Sequence, residues 1–182
     1  FRHALRFIGK KAAYPPVGLL TVAAMLPEHW NVRLVDTNLH QLEEDHLAWA
    51  DYVFISAMSI QRDSALKVID RCLKYGVKTV AGGPLFTSDY SSFPQVDHLV
   101  LGEAEVTLPR FLKDLSEGCP AQVYRTSEMA DVNDAPAPRW NLINFDDYST
   151  MCVQYSRGCP YDCEFCDITV LFGHKPRIKK PE

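Results

Sequence analysis

Three cysteines crowd into one short loop, Ser156-Arg157-Gly158-Cys159-Pro160-Tyr161-Asp162-Cys163-Glu164-Phe165-Cys166-Asp167. Their spacing is C-x3-C-x2-C. Thiolates are soft ligands that suit zinc and iron–sulfur clusters. Three this close reach one centre only if the backbone wraps around it, and Gly158 and Pro160 help the chain turn. A cluster of four irons normally takes four cysteines. Three local ligands leave one iron open, able to bind a small molecule and pass it an electron. The loop therefore reads as the seat of a 4Fe-4S cluster on Cys159, Cys163 and Cys166. A structural zinc site stays open as the alternative, with His174 as fourth ligand, although zinc usually draws a second cysteine pair from farther along. The other cysteines have different settings. Cys72 and Cys152 sit in apolar periodic segments, as small core residues do, and Cys119 lies in a turn. Crowding of this kind, without a disulfide framework, points to metal or redox chemistry.

Composition narrows the class. The 182 residues suffice for one domain with a real core and part of a second. Apolar residues make up 47% and charged residues 23%, the balance of a soluble globular protein. The formal net charge of -4 argues against a large basic surface, so no nucleic-acid partner is expected. No apolar run approaches the roughly 20 residues that span a bilayer, so no transmembrane segment is expected. The opening residues Phe1 to Ala4 lack the regions of a secretory leader. The expected location is the cytoplasm.

The cysteine loop needs a frame, and the upstream sequence describes one. Strand-like runs occur at Val32–Val35, Tyr52–Ser56, Lys78–Ala81 and His98–Leu101, the second almost wholly apolar, of the kind found in buried parallel strands. Helical patterns alternate with them at Val17–Leu26, Leu42–Trp49, Asp63–Tyr75 and Glu103–Leu115, the last despite Pro109. In the third, Ala65, Ile69 and Cys72 share one side with Leu66 and Leu73, and Gly76 is a natural stop. Such alternation predicts an α/β fold, a parallel sheet covered on both faces. Function in such sheets sits in the loops after the strands. Here these are Asp36-Thr37-Asn38, Ala57-Met58-Ser59, Gly82-Gly83-Pro84 and Gly102-Glu103.

The unit would ordinarily open with an apolar strand ahead of the Val17 helix, and residues 1–16 offer only the short, helix-like Ala4–Ile8. The chain therefore reads as a fragment lacking its first strand. Residues 1–118 form the α/β domain in this reading. Residues 119–149, with Pro136, Pro138 and scattered acids, form a linker or crossover. Residues 150–182 begin a second domain, in which a strand at Thr150–Tyr155 leads into the cysteine loop.

With the aromatic Phe165 just before the last cysteine and a strand ahead of the loop, Cys159, Cys163 and Cys166 resemble the signature of the radical S-adenosylmethionine enzymes. The resemblance implies that S-adenosyl-L-methionine chelates the fourth iron, with Phe165 at the cofactor. One-electron reduction then gives a 5′-deoxyadenosyl radical, and the motif follows the first strand of a TIM-like barrel. The segments Tyr14–Leu20, Leu34–Asp36, Ile55–Met58, Val80–Pro84 and Leu101–Glu105 resemble the cobalamin-binding domain of the B12-dependent branch. That branch includes the anaerobic magnesium-protoporphyrin monomethyl ester cyclase, and Phe7–Pro16 leans toward the hopanoid C-2 methylase group. The implied fold is a Rossmann-like (flavodoxin-like) parallel-sheet domain followed by the beginning of a radical SAM barrel. Cobalamin would lie against Pro16, Gly18, Asp36, Ser56, Met58, Ser59, Gly82, Gly83, Pro84, Gly102 and Glu103.

Read from the residues alone, Gly82 and Gly83 let a bulky group approach the backbone or make an ordinary tight turn. Asp36 caps the following turn or touches the cofactor. Arg157 steers a carboxylate or is solvated. Two departures stand out. No D-x-H-x-x-G occurs, so cobalt would lack a protein histidine, with the loop Lys10–Gly18 or water below it. Ala104 stands where relatives often have a second glycine. The function implied for the parent protein is methylation of an unactivated carbon of a hydrophobic or tetrapyrrole-like small-molecule substrate by the 5′-deoxyadenosyl radical and methylcobalamin. An electron donor such as flavodoxin or ferredoxin would serve it. Oxidative cyclisation is the first alternative, and a non-catalytic carrier with a zinc loop, or a flavodoxin-like nucleotide binder, are the others.

Overall fold

The computed structural model describes Leu5 and residues 7–180. The helix-like Ala4–Ile8 falls partly outside the described residues. Four parallel strands form the main sheet in the order β1-β2-β3-β4: β1 Tyr52–Ser56, β2 Lys78–Gly82, β3 His98–Val100 and β4 Val123–Tyr124. The helices are α1 Val17–Met25, α2 Glu44–Trp49, α3 Arg62–Tyr75, α4 Pro84–Ser88 and α5 Ala104–Ser116.

Successive residues of a strand point to opposite faces, and both faces are apolar here. Ile55, Ala81 and Leu99 face one layer, with Ala65 and Ile69 of α3 and Phe86 of α4. Val80 and Val100 face the other, with Leu108 and Phe111 of α5 and Val22 and Met25 of α1. The result is three layers, helix–sheet–helix, with Phe86, Phe93 and Phe111 fully buried. Helix α3 buries Ala65, Ile69 and Cys72, while Leu73 turns out to be half exposed on its flank. Gly76 closes the helix at φ 67°, and the Val77 N–H donates to the Cys72 carbonyl. Burial pushes the Cys72 thiol up to about 11 and leaves it an inert core residue.

Three expectations need correction. Val32–Val35 forms no strand; a strand exists only where a neighbouring backbone completes its ladder, and none does so among the described residues. Thr150–Tyr155 likewise has no ladder, and Met151, Val153 and Tyr155 are exposed. The pairing begins one residue later: β5 Ser156–Arg157 runs antiparallel to β6 Arg177–Ile178, with the short helix α6 Ile168–Phe172 between them. No barrel closes among the described residues. The stretch expected to be a linker contributes β4, whose Tyr124 hydroxyl donates to Asp114 Oδ2 at 2.9 Å and so ties it to α5.

Residues 144–150 return to the N-terminal loop. Tyr148 bridges to Ala12, and the Ser149 and Thr150 hydroxyls donate to the Ala13 carbonyl. Among the described residues no helix is long and apolar enough to cross a membrane.

Candidate functional site

A cleft of about 590 Å³ opens at the C-terminal edge of the sheet. Its floor is the ends of β1, β2 and β3, with Ser56, Gly82, Gly83, Pro84 and Gly102. One wall is the first turns of α1, with Val17, Gly18 and Thr21. The opposite wall is the segment Cys152–Arg157 that leads into the cysteine loop. The sheet edge and the segment entering the cysteine loop thus bound a single cavity, which Cys159, Cys163 and Cys166 themselves do not line. The C-terminal edge is where ligands bind in open α/β sheets.

The glycines of the floor are demanded by the sheet itself. A Cβ on Gly82 would lie 2.6 Å from the Val100 carbonyl oxygen of the adjacent strand. Gly83 has φ 83°, and its Cβ would meet Ser56 Oγ at 2.5 Å. Gly18 differs: it is exposed, lines the cleft, and a Cβ there would meet nothing within 4 Å. Packing within the chain does not require its small size, and this fits a bulky group approaching the first turn of α1. The Gly82→Ala variant is expected to lose about 1–3 kcal/mol by overpacking β2 against β3. Urea unfolding followed by circular dichroism checks this.

The other expected positions divide. Pro16 precedes α1, is half-buried and does not line the cleft, whereas Glu103 closes the floor beyond Gly102. Asp36, Met58 and Ser59 do not line the cleft. Asp36 is buried, accepts from the Asn38 backbone N–H at 2.9 Å and its side-chain amide at 2.8 Å, and accepts from the Tyr148 hydroxyl at 3.0 Å. Those partners make it a turn-capping residue rather than a group reaching the cavity. Met58 and Ser59 are exposed at a short 3₁₀ turn, Ser59–Gln61, where the Met58 N–H donates to Gln61 Oε1.

Cys159, Cys163 and Cys166 are free thiols. Cys159 and Cys166 are half-buried and Cys163 is exposed. Their soft donors suit an iron–sulfur cluster, but among the described residues no three His, Cys, Asp or Glu side chains converge to hold a metal ion. Phe165 is 91% exposed and stands off the cleft. His174 Nδ1 lies 3.6 Å from Asp162 Oδ1. No described histidine lines the cleft either. His98 is buried against the Ala121 carbonyl, and His46 accepts from the Glu43 N–H at the start of α2.

What sequence reading missed is a set of ion pairs that joins Arg157 and Arg177 to Glu103 and Glu105. Arg157, expected to be solvated or a carboxylate guide, is 9% exposed. It makes a two-pronged contact to Glu105 at 3.0 and 2.6 Å, and its Nη1 lies 3.7 Å from Glu103. Arg177 donates to Glu103 Oε2 at 2.8 Å and to the Ala130 carbonyl at 2.6 Å. Glu103 also accepts from the Ala130 N–H. Glu103 and Glu105 stand at the start of α5, where carboxylates favour the helix dipole. The doubled acid in Gly102-Glu103-Ala104-Glu105 was the available signal; its partners, far along the chain, were not.

Burial pushes the Glu105 carboxyl up, but the Arg157 hydrogen bonds and charge outweigh it and hold it below its ordinary range. At Asp97 burial likewise acts upward, and bonds from Lys78 and Thr79 prevail downward. A lowered carboxyl contributes stability above its unfolded value, about 4, and loses it as pH falls through the folded value. Acid unfolding is therefore expected to begin below about pH 4. An acid titration by circular dichroism should show Glu105→Gln and Asp97→Asn each flattening the dependence.

Several known proteins are similar to this chain in sequence. An uncharacterized methyltransferase of Synechocystis sp. is 43% identical over all of this chain and 34% of its own length. The hopanoid C-2 methylase of Rhodopseudomonas palustris is 36% identical over all of this chain and 36% of its own. The anaerobic magnesium-protoporphyrin IX monomethyl ester cyclase of Synechocystis sp. is 23% identical over 86% of this chain and 38% of its own. The chain thus spans about a third of the length of the curated relatives it matches. The B12 binding domain family matches residues 10–112, more than half of the chain and the whole floor of the cleft, and the chain belongs to that family.

Proposed function

We propose that the whole protein is a cobalamin-dependent radical S-adenosylmethionine enzyme that methylates an unactivated carbon of a hydrophobic or tetrapyrrole-like substrate. The observation that carries this reading is the shared cleft: one cavity is bounded by the ends of the B12-binding sheet and by the segment feeding the C-x3-C-x2-C loop. When bound, cobalamin supplies a methyl group, and the iron–sulfur cluster with S-adenosyl-L-methionine supplies one-electron hydrogen abstraction.

The chain's own residues have definite parts in this reading. Residues 1–118 bind cobalamin, residues 119–149 add β4 to that sheet and then cross over, and residues 150–182 begin the radical SAM domain. Gly82, Gly83, Pro84, Ser56 and Gly102 keep the sheet edge low so that a large group rests on it. Gly18 leaves the first turn of α1 open to that group. Cys159, Cys163 and Cys166 ligate the cluster. The apolar lining from Val17, Phe54, Val80 and Leu108 suits a hydrophobic reactant. All six cysteines are free, which suits the reducing cytoplasm and an electron donor such as flavodoxin or ferredoxin.

Methyl transfer is preferred to oxidative cyclisation because relatives at 43% and 36% identity carry methyltransferase or methylase names, against 23% for the cyclase. The test is metal analysis of the whole protein, reconstituted without oxygen. About one cobalt and about four irons per chain are expected. Zinc in their place overturns the reading. The cleft carries no described histidine, so electron paramagnetic resonance of the Co(II) form should lack nitrogen superhyperfine splitting from a histidine. A clear splitting would contradict it.

A further inference from the structure

Four ion-paired charges, three with buried side chains and Arg177 half-buried, join the cleft to the cysteine loop. Arg157 and Arg177 are cross-strand partners in the antiparallel pair β5–β6. Directly paired residues of such a ladder project their side chains on the same face. Both guanidiniums enter one site, at Glu103 and Glu105, two residues apart at the start of α5. The side chains of Glu103, Glu105 and Arg157 are 1%, 7% and 8% exposed, and Arg177 is 18% exposed.

All three cysteines of the loop fall between the two arginines in the chain. Gly158 follows Arg157 at φ 89°, where a Cβ would lie 2.5 Å from the Lys175 carbonyl oxygen. The Cys159 N–H donates to the Gly173 carbonyl at 3.2 Å. Loop entry and loop exit are therefore held together, and both are held to the end of β3.

Burying two ion pairs is a poor route to stability, since desolvation offsets most of the attraction. What such a cluster does supply is geometry: a two-pronged arginine–carboxylate contact admits one orientation. We propose that Arg157 and Arg177 are positioning residues that fix the cysteine loop relative to the cleft through Glu103 and Glu105. This rests on the reading that the loop carries the cluster, and its effect would be to hold that cluster at one distance from whatever occupies the cleft.

Amide hydrogen exchange of the whole apoprotein, followed by mass spectrometry, reads the positioning without any cofactor. The Arg157→Met variant is expected to exchange residues 158–176 at least about tenfold faster, with β1–β3 unchanged. Arg177→Met releases the same segment from the other strand and serves if the first variant fails to fold. Arg157→Lys, which keeps the charge, should restore part of the protection. Exchange of 158–176 equal to wild type in both methionine variants overturns the proposal. So does equal acceleration throughout the sheet, which would make the pairs general supports. Iron content of the wild type separates the two readings. No iron, with the loop released in Arg157→Met, removes the cluster and leaves the anchoring. Iron bound, with no release, removes the anchoring alone.

Discussion

Serine in place of Cys159, Cys163 or Cys166 is expected to lower the iron of the reconstituted whole protein from about four per chain to below about one. Formation of 5′-deoxyadenosine from S-adenosyl-L-methionine should fall to background with it. The reason is chemical. A thiolate is a soft, readily ionised ligand, whereas a serine hydroxyl is hard and stays protonated at neutral pH. With only three local ligands, loss of one leaves two, too few to retain a cluster against solvent. Cys119→Ser is the control: Cys119 is exposed in the turn after α5 and should leave the iron unchanged. Iron analysis and the visible spectrum check both. Iron retained in Cys163→Ser but lost in Cys152→Ser would move the cluster to the cleft wall.

The second large effect concerns Glu103. Its carboxylate is almost wholly buried and receives Arg177 and the Ala130 N–H. Glu103→Ala strands Arg177 in a half-buried site and removes one of two counter-charges from Arg157. Breaking a buried pair by deleting one partner costs about 3–5 kcal/mol, because an uncompensated charge remains. Glu103→Gln keeps a carbonyl oxygen for the Ala130 N–H and should cost less, about 1–3 kcal/mol. Urea midpoints followed by circular dichroism give the order. A cost below about 1 kcal/mol for Glu103→Ala would mean that water reaches the cluster and screens it.

Much of the frame is legible without coordinates. Tyr52–Ser56 is a nearly continuous apolar run, the mark of a strand buried on both faces, and Lys78–Gly82 ends in a shorter one at Val80-Ala81. Arg62–Tyr75 carries a clear helical period and ends at Gly76. The Gly82-Gly83 pair marks a strand end, although the reason for the glycines is internal: the Val100 carbonyl and the Ser56 hydroxyl occupy the space of a Cβ. Asp36 shows the opposite case. Its position after an apolar run left two readings open, turn cap or cofactor contact, and only Asn38 and Tyr148, the latter from the far end of the chain, decide for the cap by taking its oxygens.

What the sequence by itself determines here is local: the apolar runs of β1–β3, the period and cap of α3, and the three thiols of one loop. These depend on residues a few positions apart, so periodicity and spacing record them. Tertiary structure alone decides that Val32–Val35 stays unpaired, that the two residues of β4 complete the sheet, and that β5 begins at Ser156. It alone brings Arg157 to Glu105 and Arg177 to Glu103, across 52 and 74 positions of chain. A ladder and a buried ion pair each need a partner that closes a long loop. Whether that partner arrives depends on the packing of the whole sheet, and no short stretch of sequence carries that information.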